Sequence, residues 1–169
     1  MTPDHKQQLK VWIAAVLWMA VIAIESTNYL SSDETSRILY PILHFLLGLD
    51  WQHFSVWHHY IRKTGHVVGY FILSVLLFRA WKATLPSEFW WQFHWAGIAW
   101  LMSALVASLD EWHQSFLPSR TGVVSDVFLD SATALAAQIV IFVYLRGKSR
   151  KVRTVEVSGG PINTWRRTL

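Results

Sequence analysis

Apolar residues fall along this chain in four long blocks, with a long mixed segment between the first and second and shorter polar stretches between the others. The first runs from Leu9 to Tyr29 and is wholly apolar over Val11–Ile24. The second covers Gly65 to Trp81, the third Phe89 to Leu109 and the fourth Val123 to Leu145. The third holds no formally charged residue. About twenty apolar residues cross a hydrocarbon core, and backbone groups in lipid must pair within their own segment. Each block is therefore predicted to be a membrane helix. A fifth run, Ile38–Leu49, is too short to cross and is interrupted by Pro41 and Gly48. It is predicted to be an interfacial or re-entrant helix between the first and second spans. The expected fold class is an all-α integral membrane protein with four transmembrane helices and this short extra helix.

Charge sets a direction. Lys6 and Lys10 lie at the start of the first block, Arg79 and Lys82 at the end of the second, and Arg146, Lys148, Arg150, Lys151, Arg153, Arg166 and Arg167 follow the fourth. These outnumber Arg37, Arg62, Lys63 and Arg120 on the other side. Cytoplasmic loops collect lysine and arginine, so both termini are predicted to be cytoplasmic. Residues 1–9 would form the N-terminus, 10–146 the transmembrane domain, and 147–169 a basic tail, disordered or lying on anionic lipid. The first block lacks a small-residue cleavage site and reads as a signal anchor.

Composition agrees. Charged residues are 15% of the 169 and hydrophobic ones 53%, against roughly 25% charged in soluble domains. The 11 tryptophans suit a membrane–water boundary better than a stacking platform. The absence of cysteine excludes disulfides, thiolate metal sites and a cysteine nucleophile. The basic tail has no interleaved aromatic residues, which argues against nucleic-acid binding.

With this topology the ionisable residues gather at the outer ends of the helices. Glu25 ends the first span, and His66 opens the second with Lys63 one turn before it and Tyr70 one turn after. Asp110, Glu111, His113 and Gln114 follow the third, Arg120 lies in the loop, and Asp126 and Asp130 open the fourth. If the third helix continues past Leu109, Asp110, His113 and Gln114 share a face and Glu111 points about 100° away. The small-residue run Ser131–Ala137 lets a neighbour pack closely, turning the aspartate face inward. Charge near lipid must be paired or hydrated. The plain reading is thus a closed ion-pair network, with Lys63 snorkelling to headgroups. The sharper reading is a binding site.

The run Asp110-Glu111-Trp112-His113-Gln114-Ser115-Phe116-Leu117-Pro118-Ser119-Arg120, followed by Ser125-Asp126-Val127, resembles the signature of the VanZ-like family. Lys63-x-x-His66-x-x-x-Tyr70 resembles its second motif, and Leu17-Trp18-Met19 onward to Ser26 its opening segment. The resemblance covers Val11 to Leu145. The chain departs from the family at Asp130, where asparagine is frequent, and at Glu25. The resemblance implies a small protein of the bacterial cytoplasmic membrane, in a family whose named member confers low-level resistance to the lipoglycopeptide teicoplanin.

The binding or functional cluster expected on these grounds is Lys63, His66, Tyr70, Asp110, Glu111, Gln114, Arg120 and Asp126, with Glu25, His113 and Asp130 as secondary candidates. A lipid headgroup or lipid-linked cell-wall precursor would be its ligand, with Arg120 and His66 on the phosphate. The alternative is a membrane-embedded hydrolase or transferase that uses His66 with paired carboxylates as acid and base. Ser115, Ser119 and Ser125 have no identifiable triad partners, so a non-enzymatic role is preferred. A transporter fits poorly, since the acids lie at one side rather than the midplane. Oligomerisation is left open. Six histidines (His44, His53, His58, His59, His66 and His113) fall on the outer side, and His58-His59 beside the acidic pairs invites a zinc site. No spacing matches a recognised zinc motif, so no metal and no cofactor are expected.

Overall fold

The computed structural model describes residues 3–27, 31–85, 87, 89–118 and 122–158. They form five α-helices: α1 (Pro3–Glu25), α2 (Ser32–Leu47), α3 (Trp51–Thr84), α4 (Phe93–Gln114) and α5 (Val124–Ser158). Among the described residues, His5–Glu25, Trp51–Thr84 and Val124–Ser149 are long and apolar enough to cross a membrane. α4, the third predicted span, has 22 residues. Its tryptophans, His94 and the Asp110–Gln114 end dilute its apolar character.

α3 is the centre of the bundle, in contact with every other helix, while α4 and α5 also pack on each other. Polar ties fix the register. The Gln8 side-chain amide donates to the Ala83 carbonyl at 2.9 Å and the Trp18 indole to the Gly69 carbonyl at 2.8 Å, so α1 runs antiparallel to α3. Along α3 and α5 the pairs advance together, from Lys63 with Asp126 to Ser74 with Ala134 and Gln138, so those two helices are parallel. The small-residue expectation is met at this seam: Ala134 and Ala137 are fully buried. The Ser74 hydroxyl donates to the Ala134 carbonyl at 2.9 Å, and the Gln138 amide donates to the Ser74 hydroxyl at 2.7 Å. Leu73, Leu77, Trp95 and Ala99 complete the core. Ile13, Leu17, Leu101, Leu105, Ile139 and Val143 face outward. An apolar surface of that extent suits lipid, not water, and the chain is a helical membrane protein.

Three features differ from the sequence reading. α3 begins at Trp51, not near Gly65, because Asp50 caps it: its carboxylate accepts the His53 backbone N–H at 3.2 Å and also meets the His53 ring. These bonds hold the Asp50 carboxyl below the usual carboxylate range. The added turns mix histidine, arginine and tryptophan, so no apolar run betrays them. α2 is continuous from Ser32 to Leu47 with Pro41 inside it, and Gly48 ends it in the left-handed region at φ 66°. The Ser31 hydroxyl accepts the Glu34 N–H at 3.3 Å, giving the helix an earlier start than its apolar run. Because α2 buries no residue, the donor lost at Pro41 leaves a carbonyl that the surroundings can satisfy. α5 continues to Ser158, into the stretch assigned to the tail; residues 159–169 lie outside the described residues.

α2 is held on α3 chiefly through His58. Its Nδ1 is 3.4 Å from the Ser32 hydroxyl, its Nε2 3.0 Å from the Thr35 hydroxyl, and its ring stacks on Phe54 at 5.3 Å. Both ring nitrogens are thus engaged by hydroxyls of α2. Several tryptophans are ties between segments as well as anchors: the Trp95 indole donates to the Leu85 carbonyl at 2.8 Å and that of Trp100 to the Ser131 carbonyl at 3.0 Å.

Ala134→Leu should overpack the α3–α5 seam and cost about 1–3 kcal/mol, read as a lowered thermal midpoint in detergent. His58→Ala should release α2, read as faster proteolysis between residues 32 and 50 with the rest of the bundle protected.

Candidate functional site

The polar residues converge where the C-terminal end of α4 meets the N-terminal end of α5 and the first half of α3. On α3, His58, Arg62, His66 and Tyr70 recur every four residues and form one stripe. Tyr70 is buried, and its ring stacks below that of His66 at 6.4 Å. Its hydroxyl donates to Asp110 Oδ2 at 3.3 Å, and the Gln114 amide donates to the same oxygen at 3.2 Å. Because α4 does run on through Gln114, Asp110 and Gln114 share a buried face as expected.

His113 does not join them. It is exposed, with Nδ1 3.5 Å from the Ser26 hydroxyl of α1. Glu111, expected to point away, is buried at 6% exposure. Gly122 and Val123, just before α5, lie against it, and the Val123 backbone N–H donates to Glu111 Oε2 at 2.8 Å. Gly122 makes this possible. A Cβ there would stand 2.3 Å from the Glu111 carbonyl oxygen and 3.0 Å from the Ser115 backbone nitrogen. Helical spacing along α4 does not report what covers Glu111.

α5 contributes its acids one turn apart. Asp126 pairs with Lys63. Asp130 is fully buried, and its Oδ2 lies 3.3 Å from His66 Nδ1. One reactive atom from each of His66, Glu111 and Asp130 falls within 4.8 Å of the others. Asp130, a secondary candidate by sequence, thus lies at the centre. Glu25 is exposed at the edge, lining with Thr35, Arg62, Gly65 and His66 a cavity of about 200 Å³. Arg120 lies outside the described residues.

A larger cavity of about 360 Å³ opens between α2, α3 and the start of α5. Arg62, Lys63, His59 and His66 supply cationic or donor groups to its wall, Ser32 and Ser36 hydroxyls, and Asp33 and Asp126 carboxylates. The sequence reading counts Arg62 only as an outer charge and weighs His59 only as a metal ligand, and places neither in the cluster. Their signal was present: both sit at helical spacing from His66 or Lys63, on a helix whose start was placed too late.

A family profile described as VanZ/LLP1 matches residues 11–145. No curated protein and no solved structure matches the chain.

Gly122→Ala should push the loop off the end of α4 and break the Val123–Glu111 bond, at about 1.5–3 kcal/mol for a hydrogen bond to a charged group. Hydrogen exchange checks this: the Val123 amide should exchange faster while amides in the α3–α5 seam keep their protection. Tyr70→Phe should destabilise by about 1–3 kcal/mol by leaving a buried carboxylate oxygen with one donor fewer, measured by denaturant unfolding in detergent.

Proposed function

The chain belongs to the VanZ-like family, and on that premise we propose that it is a protein of the bacterial cell envelope whose 360 Å³ cavity binds the phosphate of a lipid headgroup or lipid-linked cell-wall precursor. The carrying observation is the cavity wall, where Arg62, Lys63 and His66 stand beside Ser32 and Ser36. Arginine, lysine and hydroxyl donors are the groups that satisfy phosphate oxygens. The volume falls at the lower end of the range of small-ligand sites, about 300–1,000 Å³, which suits a headgroup. Occupancy of such a precursor by the protein is the route by which susceptibility to lipoglycopeptides such as teicoplanin would fall.

In the arrangement we propose, α1, α3, α4 and α5 each cross the cytoplasmic membrane, and α2 lies at the outer interface. Lys6, Lys10, Arg79, Lys82, Arg146 and Lys148 lie toward the opposite end from the cavity, which supports cytoplasmic termini and an extracytoplasmic site. α4 supports a fourth crossing, since its 22 residues extend about 33 Å alongside α3 and α5.

The second reading, a hydrolase or transferase on a lipid-linked phosphate, is favoured by the closeness of His66, Glu111 and Asp130. Release of inorganic phosphate or a shortened lipid by purified protein would support it; unchanged substrate across the pH range would dispose of it.

Binding is tested by native mass spectrometry of purified protein with undecaprenyl phosphate in one arm and phosphatidylglycerol in the other. Lys63→Ala combined with Arg62→Ala should reduce retention at least about tenfold in whichever arm is the ligand. Arg120→Ala, made because the resemblance carries Arg120 into the site, should abolish any teicoplanin phenotype at normal membrane levels of the protein. Equal retention of both lipids by wild type and double variant would refute the assignment.

A further inference from the structure

We infer that His66, Glu111 and Asp130 together bind a divalent transition-metal ion, zinc or manganese(II). One donor atom of each lies within 4.8 Å of the other two. The three come from α3, α4 and α5, so their meeting is a product of the tertiary fold and not of local helical spacing. The donor set, one imidazole and two carboxylates, suits borderline and moderately hard ions. Around such an ion, ligand atoms sit about 3.4 Å apart at bond lengths of about 2.1 Å. The side chains therefore need to draw in by about an ångström, which side-chain torsions supply.

A second, independent observation points to a ligand. Asp130 is fully buried, and among the described residues its Oδ1 has no hydrogen-bond partner. A buried carboxylate oxygen without a donor is costly, and a coordinated cation removes that cost. Charge points the same way. Asp110, Glu111 and Asp130 are all buried at this end, and Lys63 pairs with Asp126 and not with any of the three. The ring of His66 is the one cation-forming group in contact with Asp130 among the described residues.

The surroundings have the build of a supported metal site, in which partners of the ligands fix their orientation. Glu111 Oε2 accepts the Val123 N–H at 2.8 Å, which orients the carboxylate. His66 is stacked on Tyr70, which is itself anchored to Asp110. His66 also lines the 360 Å³ cavity, which provides a path of entry. The inference stands whether or not that cavity binds phosphate. The sequence offered His58-His59 as its metal candidate and, with no recognised zinc spacing, led to the expectation of none; a site drawn from three helices has no such spacing to show.

The test uses the full chain purified in detergent, equilibrated with Zn²⁺ or Mn²⁺, desalted and analysed by elemental mass spectrometry. Wild type should keep about one equivalent, the stoichiometry of a single site. Asp130→Asn and His66→Gln should each weaken binding at least about 100-fold, the upper end of what loss of a merely supporting contact costs. His44→Gln, on α2, should bind as wild type does. Electron spin-echo measurements on Mn²⁺-loaded wild type should show one coordinated imidazole nitrogen, a readout that needs no variant to fold. Three results would overturn the proposal: no retained metal in wild type, no nitrogen coupling, or retention unchanged by both substitutions.

Discussion

Three carboxylates, Asp110, Glu111 and Asp130, are buried at one end of a bundle whose outer surface is apolar. That desolvation is the constraint the rest of the architecture answers. An ionised group taken out of water must find donors or cations in the protein, and each of these three finds them on another segment. Asp110 is met by Tyr70 of α3 and by Gln114 one turn along its own helix, Glu111 by the backbone leading into α5, and Asp130 by His66 of α3. The same contacts that satisfy the acids therefore fix where α3, α4 and α5 stand relative to one another. Away from that end the bundle relies on close packing at small residues, Ala99, Ala107, Ala134 and Ala137, and on indole and amide donors to neighbouring carbonyls.

Much of this was legible in the chain. The apolar blocks locate α1, α4, α5 and the later part of α3, and the polar residues that interrupt them do gather at one level. The run Ser131–Ala137 announced a tight interface, and the inward turn of Asp130 followed from it. What could not be read was set by packing or by caps. The first turns of α3 contain His53, His58, His59, Arg62 and Lys63, so hydropathy is blind to them, and only the cap at Asp50 marks their start. Pro41 looked like a break, yet an exposed helix tolerates one missing donor. The inward position of Glu111 depends on a glycine eleven residues later that lets a loop close over it.

The convergence of His66, Glu111 and Asp130 illustrates the limit of pattern reading more generally. Periodicity reports which residues of one helix share a face. It does not report the rotation of that helix against two others, and a constellation drawn from three helices depends on all three rotations. Here the Ser74–Gln138 and Tyr70–Asp110 bonds tie α3 to α5 and to α4, and neither pairing follows from the spacing along one helix.

α3 has 34 residues, an extent of about 51 Å against a hydrocarbon core of about 30 Å. The helix must therefore lean steeply or stand well proud of the acyl chains, and its surplus turns are the ones that carry His58, Arg62 and Lys63. In the membrane arrangement proposed above, those charges would lie where the surroundings change from oil to water. Lean depends on local thickness, so a thicker or thinner bilayer would raise or lower these side chains within that gradient. The strength of every charge in the cavity would shift with it, making lipid composition a tuning parameter for the site.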